Sequence, residues 1–331
     1  NIELFLDEEA KQEVCERFAL AEGLDADDEF FTEKLEIRIQ RHLGYDYVLC
    51  GLNGYEWMVN TVSAEDTAGY KREGGRRFTD LHSGPISNRD EFEAYGWPDV
   101  SRMTTRSLEW YEKNLPDDMC VIGGLVGSFA ELISGLLGYE MLCYKLVDEP
   151  ELVQAINNKV LEVDRAVTRR LLEFDRVKFI WGSDDMGFKT QTLISPNDLR
   201  TYVFPGHAEL ARLAHSRDRP YLLHSCGQVD AIMDDLISDV RIDAKHSFED
   251  AIEDVTSIKR RYGDRIAILG GIDVDFLCRR SEEEIRDRVT ATLDACMPGG
   301  GYCLGTGNSV TIYIPLDNYL AMLDAGREWS D

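Results

Sequence analysis

A strand–helix–strand unit stands out in residues 177–224, which read VKFIWGSDDMGFKTQTLISPNDLRTYVFPGHAELARLAHSRDRPYLLH. Apolar and β-branched residues are concentrated at positions 177–182 and 220–224, and apolar residues recur at helical spacing over 196–216. Ser195 before Pro196 is typical of a helix start, because a serine hydroxyl accepts from free backbone N–H groups and proline fits the first turn. This order predicts two parallel strands joined by a helical crossover.

The same alternation continues on both sides of this unit. It predicts seven strands, at residues 45–50, 119–124, 177–182, 220–224, 242–245, 266–270 and 301–304. Helices are predicted between them at residues 102–114, 129–144, 150–174, 196–216, 228–237, 251–262 and 281–296. With an eighth strand near 56–61 or 77–81, the alternation predicts one α/β domain over residues 1–331, a (β/α)8 TIM barrel. Two further helices, at 9–22 and 30–43, predict an N-terminal helical extension over residues 1–43.

The chain is strongly acidic. It has 36 lysines and arginines against 62 aspartates and glutamates, a formal net charge of −26. Such a surface repels nucleic acid and anionic membranes, so we expect neither as a partner. With 44% hydrophobic residues the sequence is too apolar for a disordered chain, yet it has no apolar stretch long enough to predict a membrane span.

The cysteines and the start of the chain bear on its compartment. Eight cysteines are scattered along the sequence, several of them in apolar runs, which is typical of reduced and buried thiols rather than a disulfide scaffold. No basic segment leads into an apolar one at the start of the chain, so we expect a cytoplasmic protein. Because the chain begins with Asn1 instead of methionine, a removed leader stays an open alternative.

The segment Tyr-Leu-Leu-His224-Ser-Cys226-Gly carries the clearest chemical signal. Residues two apart in a strand point to the same side, so His224 and Cys226 aim an imidazole and a sulfur at one point. Zinc accepts both atom types, and Cys303 at the end of another predicted strand would supply a third ligand. Three protein ligands leave one position open, which predicts a catalytic zinc; the alternative is that these are ordinary buried strand residues.

Other polar residues follow predicted strands, where barrel enzymes place their active sites. Asp184 and Asp185 would accept a proton, orient a metal-bound group or replace a missing metal ligand, unless one of them caps the next helix. The later strands are followed by Lys245, His246, Asp273, Asn308 and Ser309, which we expect to contact substrate or cofactor. The basic run YKREGGRR at 70–77 predicts either an anion site or a solvated loop.

Four segments in the second half of the chain carry a family resemblance. These are H224-S-C-G, D243-A-K-H-S-F-E249, L269-G-G-I-D273 and G-Y-C303-L-G-T-G307. Their order resembles the carboxy-terminal half of the uroporphyrinogen decarboxylase superfamily. His224, Cys226 and Cys303 are similar to the zinc ligands of the methylcobamide:coenzyme M methyltransferases, including the 77 positions between the cysteines, and Glu249 resembles their acidic residue near the metal.

This resemblance implies a zinc-dependent methyltransferase. Methyl groups would move between a corrinoid (cobalamin) on a partner protein and a thiol or methoxylated small molecule, in a direction that the sequence leaves open. The resemblance further implies a catalytic role for Glu249 and a possible homodimer. Positions after predicted strands indicate catalytic roles for Asp184 and Asp185 and cofactor contacts for Asn308, Asp273 and His246, although a histidine beside a strand is often structural.

The departures from true decarboxylases concern two segments. Their amino-terminal R-Q-A-G-R segment is absent, and their N-L-G-H-G segment reads Cys303-Leu-Gly-Thr306-Gly here. A decarboxylase of this family would therefore need another source of cations, which makes decarboxylation the second interpretation. A binding or scaffold protein is the third, and measured metal content and turnover would separate the three.

Overall fold

Seven parallel strands form the main sheet of the protein. The computed structural model describes residues 1–64, 76–80 and 82–330. The strands of the main sheet are β1 (Tyr47–Cys50), β4 (Cys120–Val126), β5 (Val177–Ser183), β6 (Tyr221–His224), β7 (Ala244–His246), β8 (Ala267–Leu269) and β9 (Tyr302–Cys303), and neighbours in this order are hydrogen bonded. All seven strands predicted from the sequence are present, with their ends displaced by at most two residues.

The eighth predicted strand does not belong to this sheet. Strands β2 (Thr61–Ala64) and β3 (Arg76–Thr79) pair with each other in a separate antiparallel hairpin. Within the described part of the chain, β1 and β9 do not pair with each other, so the structure shows the parallel sheet of a barrel-like α/β fold without a closed eight-stranded ladder.

The N-terminal segment 2–6 lies against both edges of the sheet. On the β9 side, Ile2 N donates to Leu304 O at 2.8 Å and Leu6 forms a parallel bridge with Val310. On the β1 side, Glu3 N donates to the Tyr47 hydroxyl at 2.7 Å. The sequence analysis placed these residues outside the core, although the buried side chains Ile2, Leu4 and Leu6 alternate as they do in a strand.

Helices follow most of the strands. They are α1 (Glu8–Arg17), α2 (Phe31–Leu43), α3 (Arg89–Ala94), α4 (Arg106–Asn114), α5 (Phe129–Leu137), α6 (Tyr139–Asp148), α7 (Pro150–Leu171), α8 (Pro196–Asp198), α9 (Phe204–His215), α10 (Met233–Asp235), α11 (Val255–Tyr262), α12 (Val274–Arg279), α13 (Glu282–Cys296) and α14 (Leu316–Ser330). Short π-helical turns at Leu199–Val203 and Leu236–Val240 continue α8 and α10, and single 3-10 turns cover Val100–Arg102 and Asp230–Ile232. None of the helices in the described residues has both the length and the apolar character needed to cross a membrane.

Local hydrogen bonds explain where several helices begin and end. The Ser195 hydroxyl accepts from Asp198 N, and Ser281 forms a capping box with Glu284, as expected for serine at a helix start. The helix predicted from residue 251 begins at Val255 because the Asp254 carboxylate accepts from Thr256 N and Ser257 N in the first turn. The helix predicted at 129–144 is divided at Gly138, whose φ of +81° ends α5.

Candidate metal centre

The carboxyl ends of β5 and β6 bring together an oxygen, a nitrogen and a sulfur. One ligand atom each from Asp185, His224 and Cys226 lies within 4.8 Å of the others. Cys226 Sγ is 3.3 Å from His224 Nε2, which is 3.4 Å from Asp185 Oδ1. Atoms that share one zinc ion at about 2.0–2.3 Å have separations of this size. Elsewhere in the described residues there is no second cluster of this kind.

Cys303 is not part of this cluster, in contrast to the sequence prediction. It lies within β9, paired with Leu269, before the chain turns at the rim of the sheet. Burial raises the pKa of its thiol, and the nearby charge of Asp46 acts in the same direction. Cys303 ends β9 as His224 ends β6, but β7 and β8 separate these two strands in the sheet, whereas β5, which Asp185 follows, is hydrogen bonded to β6. Asp185 stands beside the first two ligands instead.

The two neighbouring histidines determine where the His224 lone pair points. His246 Nε2 lies 3.3 Å from Thr306 O, a group that can only accept, so this nitrogen carries the hydrogen. His246 Nδ1 then accepts from His224 Nδ1, 2.8 Å away, and His224 Nε2 is left without a hydrogen. Burial lowers the pKa of both imidazoles, which favours these neutral forms. A hydrogen-bond partner on the ring nitrogen that does not face the metal fixes the tautomer of a metal-binding histidine.

Two electron-rich atoms, His224 Nε2 and Asp185 Oδ1, therefore face the sulfur of Cys226. In addition, Asn308 Nδ2 donates to Cys226 Sγ at 3.0 Å, and Ser309 N donates to Asn308 Oδ1 at 2.8 Å, which fixes the orientation of the amide. Burial, followed by the Asp185 charge, raises the pKa of the metal-free Cys226 thiol to about 12. A cation would stabilise the thiolate and remove the repulsion with the carboxylate.

Sequence comparison identifies the family. The model of the family "Uroporphyrinogen decarboxylase (URO-D)" matches residues 80–329, about three quarters of the chain. The chain belongs to the uroporphyrinogen decarboxylase family. The matched range contains Asp185, His224 and Cys226 but not the N-terminal segment 2–6.

Two relatives of this family member are methyltransferases by name. The chain is 28% identical over 137 residues to "Methylcobamide:CoM methyltransferase MtaA" of Methanosarcina barkeri. That match covers 41% of the chain and 38% of the relative, so the chain spans about two fifths of the length of the curated protein it matches. A solved structure described as "methyltransferase from Methanosarcina mazei" superposes with a TM-score of 0.69 at 16% identity, covering 96% of this chain and 91% of the other. At that identity the superposition shows a common fold.

Lys245 of this uroporphyrinogen decarboxylase family member lies beneath the rim and does not point into its mouth. The side chain is buried, and its ammonium group donates to Ser225 O, His246 O and Ser247 O at 2.8–3.1 Å. All three of its donors are therefore used to tie the loop after β6 to the loop after β7. Glu249 follows the same strand, and burial, then the charges of Asp273 and Asp185, raise its pKa.

Two predicted site residues bind backbone groups instead. Asp184 is completely buried, and its carboxylate accepts from Ala130 N and Glu131 N, which begin α5, and from His207 Nε2 at 2.9 Å. Asp184 thus caps a helix, as one alternative in the sequence analysis had it, but the helix is α5, which precedes it in the chain, and not the next helix. Asp273 likewise caps α12 by accepting from Phe276 N. In the basic run, residues 70–75 lie outside the described residues, and the backbone of 76–77 belongs to β3.

Glu131 is a site residue that the sequence analysis missed. It begins α5, its carboxylate accepts from the backbone N–H of Asp185, and burial, then the charges of Asp185 and Asp184, raise its pKa to about 8. The available signal was its position, because it interrupts an apolar run just after a predicted strand, where barrel enzymes place active-site side chains.

A second buried carboxyl group, Glu3, lies between the edges of the sheet. Its side chain contacts Thr306 N at 2.9 Å and Thr306 Oγ1 at 2.5 Å, beside the hydroxyl of Tyr45. Burial raises the pKa of Glu3 from 4.5 to about 8, and the hydrogen bonds from Thr306 oppose this only in part. The carboxyl group is thus protonated in the folded chain at neutral pH.

Glu3 is expected to make folding less favourable as the pH rises. Between its unfolded pKa of 4.5 and its folded pKa of about 8, only the folded chain holds this proton, so its stabilising contribution is complete below 4.5 and is lost through pH 8. Glu3→Gln, which keeps a neutral side chain, should remove on the order of 2–4 kcal/mol of this pH dependence. Urea unfolding of both proteins at about pH 5 and pH 8 measures it. Parallel pH curves for the two proteins would contradict a protonated Glu3.

Proposed function

We propose that this protein is a zinc-dependent methyltransferase that exchanges a methyl group between a corrinoid on a partner protein and a thiol or methoxylated small molecule. The observation that carries the proposal is the convergence of Asp185 Oδ1, His224 Nε2 and Cys226 Sγ, with the histidine held in the tautomer that a metal requires. The partial match to a methylcobamide:CoM methyltransferase supports the choice of reaction.

The donor set suits zinc. A carboxylate oxygen, an imidazole nitrogen and a thiolate are all zinc ligands, and three of them from the protein leave a fourth position for substrate. Zinc bound there would lower the pKa of an incoming thiol or polarise an ether oxygen. The side chains around it have separate tasks: Asn308 holds the Cys226 sulfur, His246 orients His224, and Lys245 fixes the two loops that carry them.

Carboxyl groups at the mouth would handle the proton of the substrate. Glu249 follows β7, and the charges of Asp185 and Lys245 act on its carboxyl group. We propose that this carboxyl group receives the proton of an incoming thiol. The strongly acidic chain would favour a partner that presents its corrinoid from a basic surface. The direction of methyl transfer depends on which methyl donor the partner carries.

Decarboxylation has less support in the site. A porphyrinogen with many carboxylates needs cations that face the cavity. The buried lysine at this rim, Lys245, uses its donors on backbone carbonyl oxygens. The arginine segment of the true decarboxylases is also absent from the sequence.

Methyl transfer from free methylcobalamin to a thiol tests the proposal. The zinc-loaded protein, mixed with methylcobalamin and coenzyme M, is expected to consume methylcobalamin, followed by its visible absorbance, and to stop after removal of zinc by a chelator. Methoxylated aromatic compounds with Co(I) cobalamin test the reverse direction. Metal-independent formation of coproporphyrinogen from uroporphyrinogen, with no methyl transfer in either direction, would replace the proposal by the decarboxylase interpretation.

A further inference from the structure

The loop after β9 contacts both proposed ligands that β6 carries. Thr306 O accepts from His246, which in turn accepts from His224, and Asn308 donates to Cys226. The position of residues 306–308 therefore determines the tautomer of one ligand and the hydrogen bond to the other. What holds this loop in place affects the whole centre.

A single hydroxyl hydrogen accounts for the contacts of Thr306. Its Oγ1 lies 2.5 Å from Glu3 Oε2 and 2.5 Å from Asn308 O, but a hydroxyl has one hydrogen to donate. The Asn308 carbonyl can only accept, so it receives that hydrogen. The hydrogen between Glu3 and Thr306 must then come from the Glu3 carboxyl group. Glu3 Oε1 meanwhile accepts from Thr306 N at 2.9 Å.

The surroundings of Glu3 hold it rigidly. The Tyr47 hydroxyl accepts from Glu3 N and donates to Glu3 O. Glu3 itself is only 2% exposed. The backbone approaches equally closely from the loop side, because a Cβ at Gly305 would lie 1.9 Å from Ile2 O. The backbone of the N-terminal segment thus packs directly against the backbone of the loop after β9, and a side chain at position 305 would collide with it.

We propose that Glu3, from a segment outside the range matched by the family, is a positioning residue that holds Thr306 and thereby orients both His224 and Cys226 toward the metal. The inference rests on the proposed zinc centre. It adds a residue that touches neither metal nor substrate. It acts through Thr306 along two routes, His246 to His224 and Asn308 to Cys226.

Zinc affinity of four variants of the whole chain tests this role. Glu3→Leu and Thr306→Val each break the contact between the Glu3 carboxyl group and the Thr306 hydroxyl. Each is expected to weaken zinc binding about 10–100-fold, the range seen when a residue that supports a metal ligand is lost. Both changes remove the contact between Glu3 and Thr306, and Thr306→Val also removes the hydroxyl bond to Asn308 O. The double variant should therefore bind no more weakly than Thr306→Val alone. Glu3→Gln should retain wild-type affinity, since its amide donates to Thr306 Oγ1 as the carboxyl group does. Competition with a chromophoric chelator gives the dissociation constants.

The absorption of bound Co²⁺ provides a readout independent of turnover. We expect altered thiolate-to-cobalt and d–d bands in Glu3→Leu and Thr306→Val, and wild-type bands in Glu3→Gln. Val14→Ala removes only apolar contacts of α1 and leaves the hydrogen-bonding groups of Glu3 and Thr306 in place, so it serves as a control that is destabilised but should keep wild-type affinity and bands.

Two results would separate the inference from the proposed function. Wild-type affinity and spectra in a folded Thr306→Val variant, or an equal loss in Val14→Ala, would overturn the role of Glu3 while leaving the zinc centre intact. A wild-type protein that binds neither zinc nor cobalt would overturn the proposed function and this inference together. If Glu3→Leu does not fold, the zinc affinity and Co²⁺ spectrum of Thr306→Val, compared with those of Glu3→Gln, still decide the question.

Discussion

Cys226→Ser is expected to lose zinc and methyl transfer, whereas Cys303→Ser keeps both. Loss of a residue that hydrogen bonds to a metal ligand weakens metal binding about 10–100-fold, so loss of a ligand itself should weaken zinc binding at least about 100-fold. In the structure, Cys226 Sγ stands 3.3 Å from His224 Nε2, and Cys303 lies in β9 outside the cluster. Elemental analysis of the purified variants, with methylcobalamin consumption alongside, measures the difference.

The pair of variants is matched because each removes one partly buried sulfur, which lies just after β6 in one case and at the end of β9 in the other. Asp185→Asn extends the comparison, since an amide oxygen is a poorer ligand than a carboxylate, and it should also weaken zinc binding. A Cys303→Ser variant without zinc, with full zinc retained in Asp185→Asn, would restore the ligand set expected from the sequence and refute the one seen in the structure.

Asp184→Ala is expected to destabilise the protein by about 3–5 kcal/mol, the usual cost of removing one partner from a buried charged network. The carboxylate accepts from two backbone N–H groups at the start of α5 and from His207, and the whole side chain is buried. Without it, three donors remain in the interior with no acceptor, and each unsatisfied group costs about 1–3 kcal/mol. Urea unfolding of the metal-free protein gives the change in the free energy of unfolding.

Asp117→Ala is the control for this prediction. Its fully exposed carboxylate pairs with Arg176 at the surface, and such pairs contribute about 0–1 kcal/mol. If Asp184→Ala unfolds like the control but loses methyl transfer, Asp184 would have the catalytic role that the sequence analysis assigned to it rather than the structural role described above.

Prediction from sequence succeeded where the signal is local. Each of the seven strands is an apolar run flanked by turn residues, and hydrophobic burial makes such runs strands in almost any context. Ser281 and Ser195 cap helices through bonds to residues three positions away, which the sequence displays directly. The spacing of His224 and Cys226 places both on one side of the chain for the same local reason.

Errors arose where a residue has two possible partners far away in the sequence. Asp185 follows β5, which is hydrogen bonded to β6, whereas Cys303 ends β9, which β7 and β8 separate from β6, so Asp185 is the residue that meets His224. Asp184 and Asp185 are neighbours in sequence, yet one caps α5 and the other faces the cluster. The eighth strand was sought near residues 56–61 or 77–81, whereas the segment beside β9 is the N-terminal one.

The sequence by itself determined the parallel α/β sheet, the order of its strands and the placing of an imidazole and a thiol side by side, because periodicity and spacing act within a few residues. The tertiary structure decided the third atom of the cluster, the tautomer of His224 and the link from Glu3 through Thr306. Those features depend on which strands lie side by side in the sheet and on how the N-terminal segment meets the loop after β9, and spacing within one segment of sequence determines neither.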